Sequence, residues 1–212
     1  MKKFILLFVL VIALSACGTA TPTAESQILT VYATPAAQPW LTKLYACAAG
    51  SSVILKVSTE SPEIYLRVGE PDAFVSSAYK IGEEEVLVVV PRNSSIQNLT
   101  LAETQELFMK GSSPAGSVQV LVYSSDADLQ RLFDQLVMRG RSVSSSAKVT
   151  FSPQNMSDQL KSESAAVGIL PRHSLTGDSR EVFSAGQAPV LAITKSEPQG
   201  AVIGLISCLQ GN

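Results

Sequence analysis

The run Val-Leu-Val-Val-Val at residues 86–90 restricts the fold more than any other feature of the sequence. A strand with one face in water alternates apolar and polar side chains. Five apolar β-formers in a row instead predict a strand that is buried on both faces, as the strands of parallel sheets are. Pro91 ends the run. Such a strand needs cover on both sides of its sheet, so helices with a 3.6-residue apolar period should occur elsewhere in the chain.

Segments with helical periodicity do alternate with short strand-like segments. One predicted helix begins at Thr100, where Glu103 completes a capping box, and ends at Gly111. Another begins at Ser124–Ser125 and has the clearest amphipathic pattern. The other predicted helices begin at Pro39, at Ser152–Pro153 and at Pro198, and the predicted strands are 28–32, 53–57, 72–75, 86–90, 118–122, 148–151, 165–170 and 190–194. Residues 61–69 are rich in turn formers, and 139–147 and 174–186 are predicted to be loops. This alternation predicts an α/β protein with mostly parallel sheets.

The first 17 residues have the organisation of an export signal. Lys2 and Lys3 precede an apolar run over 4–14, which is too short to span a bilayer, and the segment ends Leu-Ser-Ala-Cys. This ending resembles the lipobox of bacterial lipoproteins, in which the cysteine is lipidated and becomes the first mature residue. The resemblance implies a signal peptide over 1–16, lipidation of Cys17, a polar tether over 17–27 and a lipid-anchored location on the extracytoplasmic face of the cell membrane. The alternative is an ordinary secretory signal.

Lipidation of Cys17 would leave Cys47 and Cys208 as the remaining thiols of the chain. Disulfides persist outside the cytoplasm, so we expect these two cysteines to pair. The bond would close a loop of about 160 residues and stabilise the fold by about 4–5 kcal/mol through the entropy of the unfolded chain. Two buried free cysteines are the alternative.

Composition argues against several classes of function. The 16 basic and 18 acidic residues are scattered, so the chain lacks the basic patch of a nucleic-acid-binding protein. One histidine and three widely spaced cysteines do not match common metal sites. No nucleophile motif accompanies His173, which we interpret as a surface residue, and Glu83–Glu85 as a solvated turn. We therefore expect a protein that is not an enzyme and that has no cofactor and no metal.

The order of segments resembles the type II periplasmic solute-binding proteins, in particular their phosphate-binding-like branch. The likeness rests on the opening strand, loop and helix, and on the stretches at 68–77, 86–94, 98–108 and 166–171. It implies two small lobes with mostly parallel sheets, joined by two crossovers: 28–80 plus 188–210 as lobe 1 and 86–180 as lobe 2. It also implies a monomer that captures a small solute between its lobes for an ABC permease. A degenerate relative that acts as a surface interaction or sensory lipoprotein is the alternative.

Candidate ligand donors follow the predicted strands, because ligands of open α/β sheets bind beyond the carboxyl ends of strands. The candidates are Thr34, Ser58, Ser76, Ser77, Ser124 and Ser125, with Arg92 at the crossover. Each hydroxyl could equally serve as a helix cap or turn residue. The phosphate binders of this branch carry an arginine and a Ser-Gly-Thr step before the helix that this chain begins with Tyr-Ser-Ser-Asp-Ala-Asp at 123–128. Asp126 and Asp128 would repel a dianion, so an oxyanion, a neutral or weakly charged solute, and no solute all stay open.

Overall fold

A computed structural model describes residues 26–71, 77–113 and 116–211. The strands and helices of these ranges alternate along the chain, and each label below follows chain order. They are β1 (Gln27–Ala33), α1 (Gln38–Ala49), β2 (Val53–Val57), β3 (Ile64–Val68), β4 (Ser77–Pro91), α2 (Leu101–Lys110), β5 (Ser112–Ser113), β6 (Gly116–Ser117), β7 (Gln119–Tyr123), α3 (Asp128–Phe133), β8 (Lys148–Thr150), α4 (Pro153–Ser162), β9 (Ala166–Pro171), β10 (Ser179–Thr194) and α5 (Ala201–Gly211). A π-helical turn, Asp134–Met138, continues α3, and short 3₁₀ turns lie at Pro35–Ala37 and Arg172–Ser174.

Eight of these strands form one sheet in the order β2-β1-β3-β10-β4-β9-β7-β8, and β5 and β6 form a small hairpin. At one end, β1 pairs in parallel with β2 and β3, and we call these strands the β1–β3 half. At the other end, β7 pairs in parallel with β8 and β9, and these are the β7–β9 half. The long strands β4 and β10 run antiparallel to each other and connect the two halves. The predicted class, a mixed α/β fold with a mostly parallel sheet, is confirmed.

The apolar run at 86–90 lies in the second part of β4, and all five of its residues are fully buried. Burial on both faces was therefore predicted correctly. Burial on both faces does not come from a parallel environment here, since this part of β4 pairs antiparallel with both β10 and β9. An unbroken apolar run reports what covers the faces of a strand and carries no information on the direction of its neighbours.

Two segments that the sequence assigns to turns or loops are strands. β3 lies inside the predicted turn region 61–69, and the first part of β10 lies inside the predicted loop 174–186. β10 pairs with β4 along its length, with register shifts at 181/183, 184/186 and 190/191. These irregularities, together with its serines and glycine, break the two-residue alternation by which a strand is recognised. The strand predicted at 72–75 lies outside the described residues.

The first and last α-helices of the described residues, α1 and α5, are joined to each other. A disulfide links Cys47 on α1 to Cys208 on α5, with their Cα atoms 6.0 Å apart, so the predicted pairing is confirmed. Trp40 on the buried face of α1 packs over β4 at Gly82, where a side-chain carbon would lie 2.8 Å from the Trp40 Nε1 atom. Gly82 therefore permits the close approach of α1 to the central strands. No helix within the described ranges is long and apolar enough to cross a membrane.

Candidate functional site

A cavity of about 390 Å³ lies between the two halves of the sheet. It opens where β1 and β3 end on one side and where β7 and β8 end on the other, which is the position at which open α/β sheets bind ligands. The β1–β3 half and its following loop contribute Tyr32, Thr34, Pro35, Tyr65 and Arg67, and the β7–β9 half contributes Ser124, Asp126, Ala127, Asp128, Arg131, Thr150 and Phe151. We call this space the interlobe cavity.

The carboxylate of Asp128 crosses the interlobe cavity and joins the two halves. Its Oδ2 atom accepts hydrogen bonds from the Thr34 hydroxyl at 2.5 Å and from the backbone N–H of Val68 at 3.0 Å. Its Oδ1 atom accepts from the backbone N–H of Leu129 at 2.9 Å. Asp128 is only 5% exposed, so these three donors replace the water that a buried carboxylate would otherwise require. A carboxylate oxygen of the protein therefore occupies the place on Thr34 and Val68 that an oxyanion ligand could take.

The segment before α3 differs from the sequence prediction. The helix begins at Asp128, and residues 124–127 form a turn in which the Ala127 N–H donates to the Ser124 carbonyl at 2.9 Å. The Ser124 hydroxyl donates to Asp126 Oδ1, and this hydrogen bond is the main reason that the pKa of Asp126 is lowered. Asp126 therefore remains ionised at the mouth of the cavity. The amphipathic pattern located this helix correctly. Its start was predicted too early because serine is common both in turns and at helix N-caps, so the two serines did not distinguish a turn from the first helical residue.

Arg67 is buried on β3 between the two halves and is 6% exposed. Its Nε atom is buried and has no hydrogen-bond partner among the described residues. A buried donor of this kind costs free energy unless a ligand or water completes it. Arg67 also lines the interlobe cavity, so it places a buried cationic side chain there.

Aromatic side chains line the same cavity. The rings of Tyr32 and Tyr65 stack with their centroids 5.8 Å apart and their planes at 19°. Burial raises the pKa of Tyr65, with the nearby Arg67 acting in the opposite direction, so Tyr65 stays protonated at neutral pH. Phe151 follows β8 at the rim of the cavity and is 79% exposed, a high value for a phenylalanine. The cavity thus combines a cationic donor with flat apolar surfaces.

The structure brings two of the candidate ligand residues together, since Thr34 and Ser124 both line the interlobe cavity. The other described candidates are Ser58, Ser77, Arg92 and Ser125, and none of these lines it. Ser58 donates to the Glu60 carbonyl at 3.3 Å within a turn, and Arg92 lies in a different depression, where its Nη1 atom is 3.4 Å from the Gly177 carbonyl. Ser76 and Cys17 are outside the described residues.

Sequence reasoning did not select Arg67, Tyr32, Tyr65, Arg131 or Phe151. The signal for Arg67 was present in the strand sequence Ile-Tyr-Leu-Arg-Val of β3, where a single charged residue stands among β-formers. A charge at such a position is seldom buried without a partner. Because the segment was assigned to a turn, this signal was not used.

A pair of a glutamate and a histidine lies outside the cavity, between β4 and the 3₁₀ turn Arg172–Ser174. Glu84 on β4 has a side chain only 4% exposed, and its Oε2 atom lies 2.6 Å from His173 Nδ1. The edge of the His173 ring faces Trp40, with centroids 6.0 Å apart. The interpretation of Glu83–Glu85 as a solvated turn was therefore wrong, whereas His173 is an exposed residue as predicted, with 28% of its side chain exposed. Three acidic residues in a row indicate a turn by composition, but here the side chain of the central one contacts a partner 89 residues away.

The neighbouring ion pairs fasten the 3₁₀ turn Arg172–Ser174 to both long strands. Arg172 contacts Glu85 on β4 and Glu181 on β10, each at 2.8 Å, and the Ser184 hydroxyl donates to Glu85 at 2.6 Å. The hydrogen bond from Arg172 lowers the pKa of Glu85 more than the one from Ser184 does. Among the residues that the structure describes, no group of three or more histidine, cysteine, aspartate or glutamate side chains could hold a metal ion.

No protein-family model matches this sequence, and neither does any curated protein. Solved structures do resemble it. A putative phosphate ABC transporter substrate-binding protein from Clostridium perfringens, with bound phosphate, has a TM-score of 0.77 at 11% identity, over 86% of this chain and 93% of that chain. An ABC-type phosphate transport receptor from Vibrio cholerae has a TM-score of 0.64 at 12% identity, over 87% and 93%. A Synechocystis CcmR regulatory domain in complex with 2-PG has a TM-score of 0.64 at 11% identity, over 87% and 96%. The chain therefore has the fold of the type II periplasmic binding proteins.

Proposed function

We propose that this protein is a lipid-anchored, extracytoplasmic solute-binding protein that delivers a small solute to an ABC importer. The observation that carries the proposal is the interlobe cavity, which both halves line and into which Arg67 brings a buried guanidinium. Two of the similar structures are described as substrate-binding or receptor proteins of phosphate ABC transport, which supports the same role.

In this proposal the two halves act as lobes, with 28–80 plus 188–210 as lobe 1 and 86–180 as lobe 2. The strands β4 and β10 are the two crossovers, and the register shifts of β10 lie within the segment that connects the halves. A ligand that contacts both lobes only when they are close together shifts the equilibrium towards the closed form by its difference in affinity. The protein needs no catalytic group for this task, and it acts as a monomer.

In this proposal the membrane anchor is the lipid on Cys17, the cysteine of the lipobox, and residues 17–27 form the tether to the folded domain. It would keep the domain at the outer face of the cell membrane, close to its permease. Replacement of Cys17 by serine should abolish incorporation of labelled fatty acid and release the protein from the membrane fraction. If the Cys17→Ser variant still incorporated the labelled fatty acid, lipidation at Cys17 would be contradicted, and the proposed solute-binding role would be unaffected.

Thermal unfolding in the presence of candidate solutes tests the binding role. A panel of amino acids, sugars, polyols, carboxylates and inorganic oxyanions should contain at least one compound that raises Tm by several degrees, because a ligand at 100 times its Kd stabilises the folded state by about 2.7 kcal/mol. The same compound should reduce the radius of gyration if the lobes close around it. A panel without any stabilising compound would contradict the proposal.

A surface interaction or sensory role is the second candidate, and one observation favours it. Asp128 already joins the halves through Thr34 and Val68, so the cavity is partly filled by the protein itself. The similar fold of a regulatory domain supports this alternative. It predicts that the solute panel has no effect while the domain binds a specific protein at the membrane.

A further inference from the structure

Some polar groups of the interlobe cavity already have hydrogen-bond partners among the described residues, and at least one does not. The Thr34 hydroxyl and the Val68 N–H already donate to Asp128. Within the described chain, the buried Nε atom of Arg67 has no acceptor. Arg67 is more than nine-tenths buried and lines the cavity, so its side chain is a cationic group that an anion entering the cavity would meet. A guanidinium pairs with oxyanions, carboxylates and phosphates alike, because two of its N–H groups match two oxygens of the anion.

The charges around Arg67 limit how negative this ligand can be. Arg67 and Arg131 are balanced by Asp126 and Asp128 among the residues that line the cavity. The carboxylate of Asp128 is hydrogen-bonded to the residue that follows Arg67, so an anion on the guanidinium lies close to a second negative charge. Each further negative charge on the ligand is attracted by Arg67 but repelled by the Asp128 carboxylate, so the second charge of a dianion contributes less to binding than the first. The arrangement therefore favours a monoanion over the phosphate dianion.

Several other lining residues are aromatic or apolar, and they lie beside the polar Ser124 and Thr150. The stacked rings of Tyr32 and Tyr65, Pro35 and the exposed ring of Phe151 surround the polar groups. The cavity, at about 390 Å³, lies in the size range of sites for small organic molecules. A bare oxyanion on Arg67 would leave these aromatic faces without contacts, whereas a planar ring would stack on them.

We propose that the interlobe cavity binds an organic monocarboxylate with a planar, aromatic body, whose carboxylate pairs with Arg67 and whose ring packs on Tyr32 and Tyr65. This inference rests on the proposed solute-binding function and narrows its substrate class. It assigns the specificity to Arg67 and to the two tyrosines, while Asp128 excludes phosphate.

Calorimetric titration of the full chain with four probes tests the inference. Benzoate carries both ring and charge, benzyl alcohol carries the ring alone, cyclohexanecarboxylate carries the charge on a body that is not flat, and inorganic phosphate carries the higher charge. We expect benzoate to bind most tightly, cyclohexanecarboxylate roughly 10-fold more weakly, and benzyl alcohol and phosphate at least 30-fold more weakly. This order needs no variant and so does not depend on how a substitution folds.

Two variants and a control locate the binding site. Arg67→Gln should lower benzoate affinity by roughly 30-fold, because it removes a charge-assisted pair. Tyr32→Leu should preserve binding of cyclohexanecarboxylate and remove the preference for benzoate. Arg92→Gln, a matched change of an arginine outside the cavity, should leave all four affinities unchanged.

The outcomes distinguish this inference from the function on which it rests. If phosphate binds more tightly than benzoate, or if Arg67→Gln and Arg92→Gln affect benzoate equally, the assigned ligand class is wrong. If the aromatic carboxylates all fail while a sugar or amino acid of the wider panel stabilises the protein, the inference fails and the solute-binding function survives. If no compound of either panel binds, both are wrong.

Discussion

The hydrogen bond between Thr34 and Asp128 should be a measurable connection between the two halves of the sheet. Asp128→Ala removes the acceptor of two donors that belong to the β1–β3 half, the Thr34 hydroxyl and the Val68 N–H. A buried donor left without a partner costs about 1–3 kcal/mol, so we expect this variant to lose about 3–4 kcal/mol of unfolding free energy. Thr34→Val removes one donor and leaves two on the carboxylate, and it should cost about 1.5 kcal/mol.

A double-mutant cycle isolates the contact itself. In the Asp128→Ala background, Thr34→Val should cost almost nothing, because the hydroxyl has already lost its acceptor, and the coupling free energy should be about 1.5 kcal/mol. Urea unfolding can be followed by the fluorescence of Trp40, the only tryptophan of the sequence, which is buried on α1. Asp126→Ala is the matched control, because this carboxylate is exposed and bonds within its own turn, and it should cost less than about 0.5 kcal/mol. A coupling free energy near zero, or an Asp126→Ala variant as unstable as Asp128→Ala, would refute this account of the cavity.

Three further predictions concern stability. Replacing Cys47 and Cys208 together by serine should lower the unfolding free energy in urea by about 5 kcal/mol, as expected for a loop of 161 residues, and a loss below about 1 kcal/mol would contradict the entropic account. Glu85→Gln should lower the unfolding free energy by about 0.5 kcal/mol at pH 7, a small value because solvent screens the ion pair with Arg172. The fold lowers the pKa of Glu85, so the ion pair stabilises the protein above the ordinary glutamate pKa and this stabilisation is lost as the pH falls through the lowered pKa. The unfolding free energies of wild type and variant, measured by calorimetry, should therefore converge near pH 3, and a difference that stays constant with pH would be inconsistent with the ion pair. Thr100→Ala should lower the unfolding free energy by about 1 kcal/mol through loss of the cap of α2, whereas Thr100→Ser should restore it in the same assay.

Local sequence signals predicted those elements that depend on short-range chemistry. The capping box of Thr100 and Glu103, and the end of α2 at Gly111 in the left-handed region, are present as expected. Ser152 caps α4 through the N–H of Asn155, also as expected. In each case the hydrogen bonds join residues three or four positions apart, so the sequence contains both partners side by side.

Elements that depend on distant partners were harder to predict. β10 was recognised only over its last residues, because its first part is held by pairing with β4 and has little apolar alternation of its own. Glu84 was assigned to a turn from its acidic neighbours, because its partner, His173, follows only 89 residues later and gives no local signal. Such contacts form only when the whole sheet is assembled, and local propensity does not contain them.

In the candidate site, too, some residues could be predicted from local sequence and others could not. Thr34 and Ser124 were selected from their positions after strands, and the structure places both on the interlobe cavity. Arg67 was missed because its strand was missed, although it contributes the buried guanidinium on which the proposed ligand depends. Asp128 was noticed as a repulsive charge, and the structure adds that its carboxylate is bonded to the opposite half.

The bond between α1 and α5 also determines what a protease could do to this molecule. Every peptide bond from residue 48 to residue 207 lies inside the loop that Cys47 and Cys208 close. A single cut in any exposed turn of that loop would therefore produce two fragments that stay covalently attached, and a nicked molecule would separate into them only after reduction. Loss of the carboxyl-terminal fragment thus requires two events, cleavage and reduction, and the second is disfavoured outside the cytoplasm.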